Sequence, residues 1–374
     1  MLISSAFDSG NIHVVKSDDP THIQLEIRRD NESDFYQWFH FRTSGVKDQS
    51  CKFTILNASG AAYPAGWENY RTCASYDRET WFRVETGYDG KTLTWEIQPE
   101  QDSIYFAYFA PYSMERHADL IAEVSGSSLV KTTVLGHTLD GQDMDLVEVG
   151  HGPEGRKKVW MIARQHPGET MAEWWMEGAF EFLLDSDNPV ARALLDKVHF
   201  YIVPNMNPDG SKRGHLRTNA VGANLNREWK NATMERSPEV YLVRQKIQET
   251  GVDFHMDVHG DEAIPYNFIA GFDNIANVNK EQLALLKNYK ELLCKNSPDF
   301  QTKHGYDIIG RGTATLDICT DYIASTFGCC AMTLEMPFKD NDNLPDDLLG
   351  WSPERCRHLA KACLSTLQQM VHDL

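Results

Sequence analysis

A chain of 374 residues is long enough for two domains and a substantial buried core. Hydrophobic residues at 41%, with nine Trp and seventeen Phe, describe an ordinary globular protein rather than a disordered or fibrous one. Thirty-six basic residues against fifty-four acidic ones leave a net charge of −18, a surface that repels nucleic acid and anionic membranes at long range, so neither is expected as a partner.

The first fifteen residues have no basic segment followed by a long apolar one, and no window approaches the ~18 apolar residues of a membrane span. A cytoplasmic protein is expected. The eight Cys show no framework spacing and no CxxC pair, which predicts reduced thiols and argues against cysteine-ligated zinc.

Through residue 118 the pattern is one of short strands broken by turn residues, at 23–27, 35–43, 52–58, 81–97 and 103–113. The clearest hairpin flanks Tyr88-Asp89-Gly90, where Asp-Gly supplies the positive φ of a tight turn. An all-β sandwich domain over 1–118 follows. From 119 to 374 helices alternate with apolar strands, which predicts an α/β domain with a mixed, mostly parallel sheet and helices on both faces. Residues 158–165, 198–207, 252–260 and 329–338 read as strands, 170–185 as a helix, and 353–374 as an amphipathic closing helix. Ligands of such a sheet gather at the carboxyl ends of its strands.

One of those ends is the loop Arg164-Gln165-His166-Pro167-Gly168-Glu169-Thr170. It places an imidazole and a carboxylate three residues apart, bent toward each other by Pro167 and Gly168, with Thr170 ready to cap the next helix. Zinc accepts this mixture of nitrogen and oxygen, and a catalytic site takes three protein ligands. In the strand at 252–260, alternation puts His255, Asp257 and His259 on one face, and His259 stands last, where the strand opens beside Gly260. His166, Glu169 and His259 are therefore the expected metal ligands, for one Zn²⁺ per chain.

At these residues the sequence resembles the zinc metallocarboxypeptidases, and within them the cytosolic branch that includes tubulin-deglutamylating enzymes and bacterial relatives. His166-Pro167-Gly168-Glu169 and Asp257-Val258-His259-Gly260 resemble the two zinc motifs. Gln37-Trp38-Phe39-His40-Phe41 and the stretch from Tyr105 to Ser113 resemble signatures of the β-sandwich that precedes the catalytic domain in that branch. The resemblance implies a hydrolase that removes a residue from peptide or protein C-termini. It assigns Asn226 and Arg227 to the substrate's terminal carboxylate, a task that suits the planar fork of Arg. Arg217 would polarise the scissile carbonyl and stabilise the oxyanion, with Arg164 a weaker candidate. Thr333-Leu334-Glu335-Met336 resembles the strand of the catalytic glutamate, and Glu335, set in an apolar run, is expected to have a raised pKa suited to moving a proton between water and the departing amine.

Three departures from the family pattern stand out. Asn224 occupies a position where an Asp often partners a zinc-ligating His, which implies weaker metal affinity or activity. Thr315 replaces an Arg of glutamate-trimming members, which weakens any acidic preference unless Arg311 or Lys303 substitutes. The substrate-capping Tyr has two candidates, Tyr306 and Tyr322. Alternative readings are a zinc amidohydrolase that deacylates N-acyl amino acids, against which the N-terminal sandwich argues, and an inactive peptide-binding protein on the same scaffold.

Overall fold

The computed structural model describes residues 1–152, 154–307 and 310–374. Ten strands form the N-terminal part: β1 (Leu2–Ser4), β2 (His13–Lys16), β3 (Ile23–Glu26), β4 (His40–Ser44), β5 (Cys51–Ile55), β6 (Thr72–Ser75), β7 (Phe82–Val84), β8 (Thr86–Tyr88), β9 (Leu93–Ile97) and β10 (Ser103–Ala107). They make two five-stranded sheets, in the orders β1-β4-β10-β6-β7 and β2-β3-β5-β9-β8. Alternation along the strands sends one aromatic set inward from each sheet: Phe41 and Phe106 from the first meet Phe53 and Trp95 from the second, with ring centroids 4.8–6.3 Å apart. The expected hairpin is present, with Tyr88 opposite Leu93 and Gly90 at φ 86°.

Two expected strands are shorter than their apolar runs. Residues 35–39 leave the sheet, so that β4 begins only at His40, and residues 108–113 follow β10 as an irregular segment. Their backbone serves other partners. Ala110 O accepts from Thr170 Oγ1 and Trp174 Nε1, and Tyr112 O accepts from Arg164. Thr170 thus stands at the start of its helix without capping it, because its hydroxyl is committed to Ala110.

Then come α1 (Met114–Ser125), β11 (Val130–His137), β12 (Asp143–Val149), β13 (Lys157–Ala163), α2 (Met171–Leu184), α3 (Pro189–Leu195), β14 (Val198–Val203), α4 (Pro208–Arg213) and α5 (Pro238–Thr250). The chain closes with β15 (Phe254–Asp261), β16 (Phe268–Ala270), α6 (Lys280–Asn296), α7 (Cys319–Phe327), β17 (Cys330–Pro337) and α8 (Pro353–Met370). Seven strands form one mixed sheet in the order β11-β12-β14-β13-β15-β17-β16. The four central strands run parallel, and β11, β12 and β16 are antiparallel additions at the edges. The parallel strands are almost wholly buried, which is why β14 and most of β13 and β17 read as apolar, whereas β15 carries buried His and Asp on one face.

Helices cover both faces. On the Phe254 side, Tyr289 of α6 packs at 5.5 Å from Phe254 and donates its hydroxyl to Cys363 O of α8. Helix α8 turns the stripe Cys356, Leu359, Ala360, Cys363, Leu364 and Leu367 inward at helical spacing. On the opposite face, α7 sets Cys319 against His255 and Thr320 against Thr333. All eight Cys are free thiols, and among the described residues no helix is long and apolar enough to cross a membrane.

The two parts share a packed seam. Tyr108 stacks on Phe338 at 4.5 Å, and the buried Arg83 of β7 donates to the carbonyls of Phe338, Lys339, Leu349 and Trp351. Replacing Arg83 with Met leaves those acceptors unpaired, so Arg83→Met is expected to lower unfolding stability by about 3 kcal/mol. Urea denaturation would show it as a reduced midpoint.

Candidate active site and metal centre

Strand ends build the site. After β13 the backbone turns sharply at Arg164, which has φ 59°. Its buried guanidinium holds the turn by donating to Tyr112 O, Pro167 O and the Glu173 carboxylate. Arg164 is 1% exposed, and these bonds make it a brace of the turn. Gly168 lies so close to the neighbouring loop that a Cβ there would stand 2.9 Å from Leu216 O, which its own N–H bonds. This approach turns His166 and Glu169 inward, 4% and 2% exposed.

The third element is β15. Its alternation presents His255, Asp257 and His259 to one face, and in the parallel register His259 lies directly beside Glu335 of β17. Gly260 follows, its N–H bonded to Glu169 Oε2, where a Cβ would collide with Met171 Sδ at 2.4 Å.

The structure brings the three sequence-predicted ligands together. His166 Nδ1 lies 2.7 Å from Glu169 Oε1, His259 Nδ1 lies 2.8 Å from Glu169 Oε2, and the two Nδ1 atoms are 3.2 Å apart. The outer ring nitrogens settle the tautomers. His166 Nε2 donates to Asn224 Oδ1 at 3.1 Å, and His259 Nε2 donates to Asp257 Oδ2 at 2.9 Å. Asn224 Oδ1 also accepts from Asn226 N, so the amide orientation is set by two donors. With their protons outside, both Nδ1 atoms turn lone pairs toward one another and toward a carboxylate, an arrangement a cation stabilises. The donor set of two nitrogens and one oxygen fits zinc. Among the described residues it is the one such group of His, Cys, Asp or Glu.

Burial, reinforced by the Arg217 cation, holds His166 down at about 4, in the neutral form a ligand requires. Burial also opposes charge on His259, yet Asp257 and Glu169 on either side outweigh it and hold its pKa well above the usual value. The two carboxylates thus favour positive charge at this position, which a second proton on Nδ1 or a bound cation there supplies. Asn224 gives His166 an amide partner in place of a carboxylate, as the sequence implied.

Beyond the three ligands opens a cleft of about 870 Å³, lined among others by Arg217, Asn226, Arg227, Tyr306 and Glu335. Burial pushes Glu335 well above the usual carboxylate range, and neighbouring Glu169 and Asp261 add to the shift against the pull of His259. Its Oε1 accepts from Tyr306 Oη at 3.1 Å, whereas Oε2 is buried without a partner among the described residues. Asn226 commits its Oδ1 to Cys319 N, which leaves its amide NH₂ as the free end. Arg217 and Arg227 have no carboxylate within ion-pair distance among the described residues. Two uncompensated guanidinium groups in one pocket call for an anionic ligand.

Several other sequence expectations are sorted by the same geometry. Tyr306 is at the site and Tyr322 is not: the latter packs against Trp229 and accepts from Gln248. Arg311 donates to Val278 O, away from the cleft, whose lining includes Lys303 but neither Arg311 nor Thr315. Sequence reasoning missed Lys290, Tyr63, Asp261 and Glu262, all of which line the cleft. Of these only the two acids, immediately after the His259 motif, carried a positional signal.

Comparison with known proteins agrees with the geometry. Residues 117–347 match the family model described as zinc carboxypeptidase, and residues 3–109 match that of the cytosolic carboxypeptidase N-terminal domain. The chain belongs to the zinc carboxypeptidase family and is a metallocarboxypeptidase, a peptidase of the cytosolic carboxypeptidase branch. A crystal structure of a metallo-carboxypeptidase from Burkholderia cenocepacia is 48% identical with a TM-score of 0.96, covering 99% of each chain. One from Pseudomonas aeruginosa, in complex with (2-guanidinoethylmercapto)succinic acid, is 43% identical with a TM-score of 0.98, covering 100% of both chains. Human cytosolic carboxypeptidase 2 is 29% identical over 334 residues, which is 80% of this chain but only 37% of that relative's length.

Two substitutions test the metal centre through its outer hydrogen bonds. Asp257→Asn is expected to weaken zinc affinity by about 10- to 100-fold, and Asn224→Asp to strengthen it by about tenfold, because the ring partner sets ligand basicity. Competition with a zinc chelator would measure both.

Proposed function

We propose that the chain holds one zinc ion through His166, Glu169 and His259 and uses Glu335 as general base to remove the C-terminal residue of peptides. The catalytic domain is residues 119–374, preceded by an N-terminal sandwich of residues 1–118. The observation that carries this reading is the meeting, in one cleft, of three metal-type donors, a glutamate whose buried Oε2 has no partner among the described residues, and two arginines with no counter-ion among them.

Bound zinc would supply Lewis acidity, acidifying water and polarising a carbonyl oxygen. Arg227, with the free amide end of Asn226, clamps the substrate's terminal carboxylate, which restricts the enzyme to chain ends and fixes the scissile bond relative to Glu335. Glu335 takes a proton from the attacking water on its open Oε2 and later delivers it to the leaving amine. Arg217 donates to the oxygen on which negative charge develops. Tyr306, already bonded to Glu335 and to Asp261, is placed to cover the substrate. The Pseudomonas aeruginosa relative was solved with a succinic acid derivative, and carboxylates of that kind are what the unpaired arginines here are suited to bind.

Mass spectrometry of a peptide library with zinc-loaded protein should show C-terminal residues vanishing one at a time. Matched peptides ending in a carboxamide should survive, and equal cleavage of both would end the clamp reading. Glu335→Gln should bind such peptides with kcat reduced by at least about 10³-fold. Undiminished turnover would remove Glu335 from the mechanism. Tyr306→Phe is expected to lower kcat/KM by about tenfold, as the loss of one hydrogen bond to the substrate or Glu335 implies.

A further inference from the structure

The loop that carries Arg217 is held by the N-terminal domain. Asp30, 3% exposed, receives four hydrogen bonds from it: Leu216 N at 2.7 Å on Oδ1, and Arg217 N at 2.8 Å, Thr218 N at 2.9 Å and Thr218 Oγ1 at 3.0 Å on Oδ2. The next residue continues the grip, since Asn31 N donates to His215 Nε2 and Asn31 Nδ2 to Ala220 O. Charge-assisted bonds of this kind are about twice as strong as neutral ones. One carboxylate therefore fixes three consecutive residues of the loop with Arg217 at their centre.

The side chain is treated differently from the backbone. Among the described residues the Arg217 guanidinium makes no hydrogen bond and no ion pair. It lies instead 5.6 Å from the ring centroid of Phe35 and 5.4 Å from that of Tyr63, both from the N-terminal domain. Aromatic faces attract a cation while leaving its five N–H donors unengaged. A carboxylate in their place would hold the group more firmly but would occupy those donors and neutralise the charge an oxyanion needs.

We propose that Asp30, Phe35 and Tyr63 are positioning residues that aim Arg217 at the reacting carbonyl, so that the N-terminal domain is a working part of the active centre. This rests on the oxyanion role of Arg217 given above. Asp30 sets where the side chain starts, and the two rings set where it points. A displacement of about 1 Å in such a group lowers turnover by about 100-fold.

Double-mutant cycles on the full-length, zinc-loaded protein test it. Asp30→Asn, and separately the Phe35→Leu/Tyr63→Leu pair, should each lower kcat by about 10- to 100-fold with KM changed by less than about threefold and zinc content unchanged. In an Arg217→Ala background both losses should vanish, because residues that act only through Arg217 have nothing left to position. Losses that multiply with that of Arg217→Ala, or that accompany loss of zinc, would overturn the proposal. Should Asp30→Asn fail to fold, the aromatic pair decides by the same criterion. If Arg217→Ala alone leaves kcat unchanged, the oxyanion role itself has failed and the positioning role with it, an outcome distinct from multiplying losses.

Discussion

Two imidazole lone pairs and a carboxylate, pressed within about 3 Å of one another on side chains almost wholly buried, repel unless positive charge lies between them. Much of the surrounding structure supplies the conditions for that encounter. Asp257 and Asn224 keep the ring protons on the outer nitrogens, and Gln165 steadies Asp257 with a 2.6 Å hydrogen bond. Arg164 holds the turn that delivers the first ligand, and two glycines allow the backbones to close in. The parallel register of β15 and β17 then sets Glu335 beside the centre with no further adjustment.

Charge is organised on two length scales. At long range the net −18 discourages anionic partners, but salt screens that field over about 8 Å. Inside the cleft, Arg217 and Arg227 stand unpaired, so a terminal carboxylate that reaches the pocket meets local attraction in a low-dielectric wall. Two of the acids that line the same cleft, Asp261 and Glu262, follow His259 closely in sequence.

The N-terminal sandwich owes its own stability to an aromatic core, yet part of its sequence is spent on its neighbour. Arg83 and Tyr108 pack against the segment that follows β17, and the loop from Asp30 to Phe35 wraps the Arg217 loop. Separating the halves would leave buried carbonyls and N–H groups without partners on both sides, a reason for the two to be carried in one chain.

Patterns with a short period were legible from residues alone. Apolar runs located the buried strands, period-two alternation put His255, Asp257 and His259 on one face, the place of His259 at the strand end beside Gly260 picked it from its neighbours, and the three-residue spacing of His166 and Glu169 marked a chelating loop, because each depends only on backbone geometry within a few residues. Errors fell where distant contacts compete with local preference. Residues 35–39 look like a strand but pair irregularly within their own domain, with Tyr36 O accepting from Ala62 N; residues 108–113 look like one but give Ala110 O and Tyr112 O to the other domain, and Thr170 looks like a cap but bonds Ala110. The choice between Tyr306 and Tyr322 and the aromatic bracket around Arg217 had no local signature at all. Those pairings join residues tens to hundreds of positions apart, and which of them meet is settled by how the sheets and loops pack, a matter that no spacing along the chain encodes.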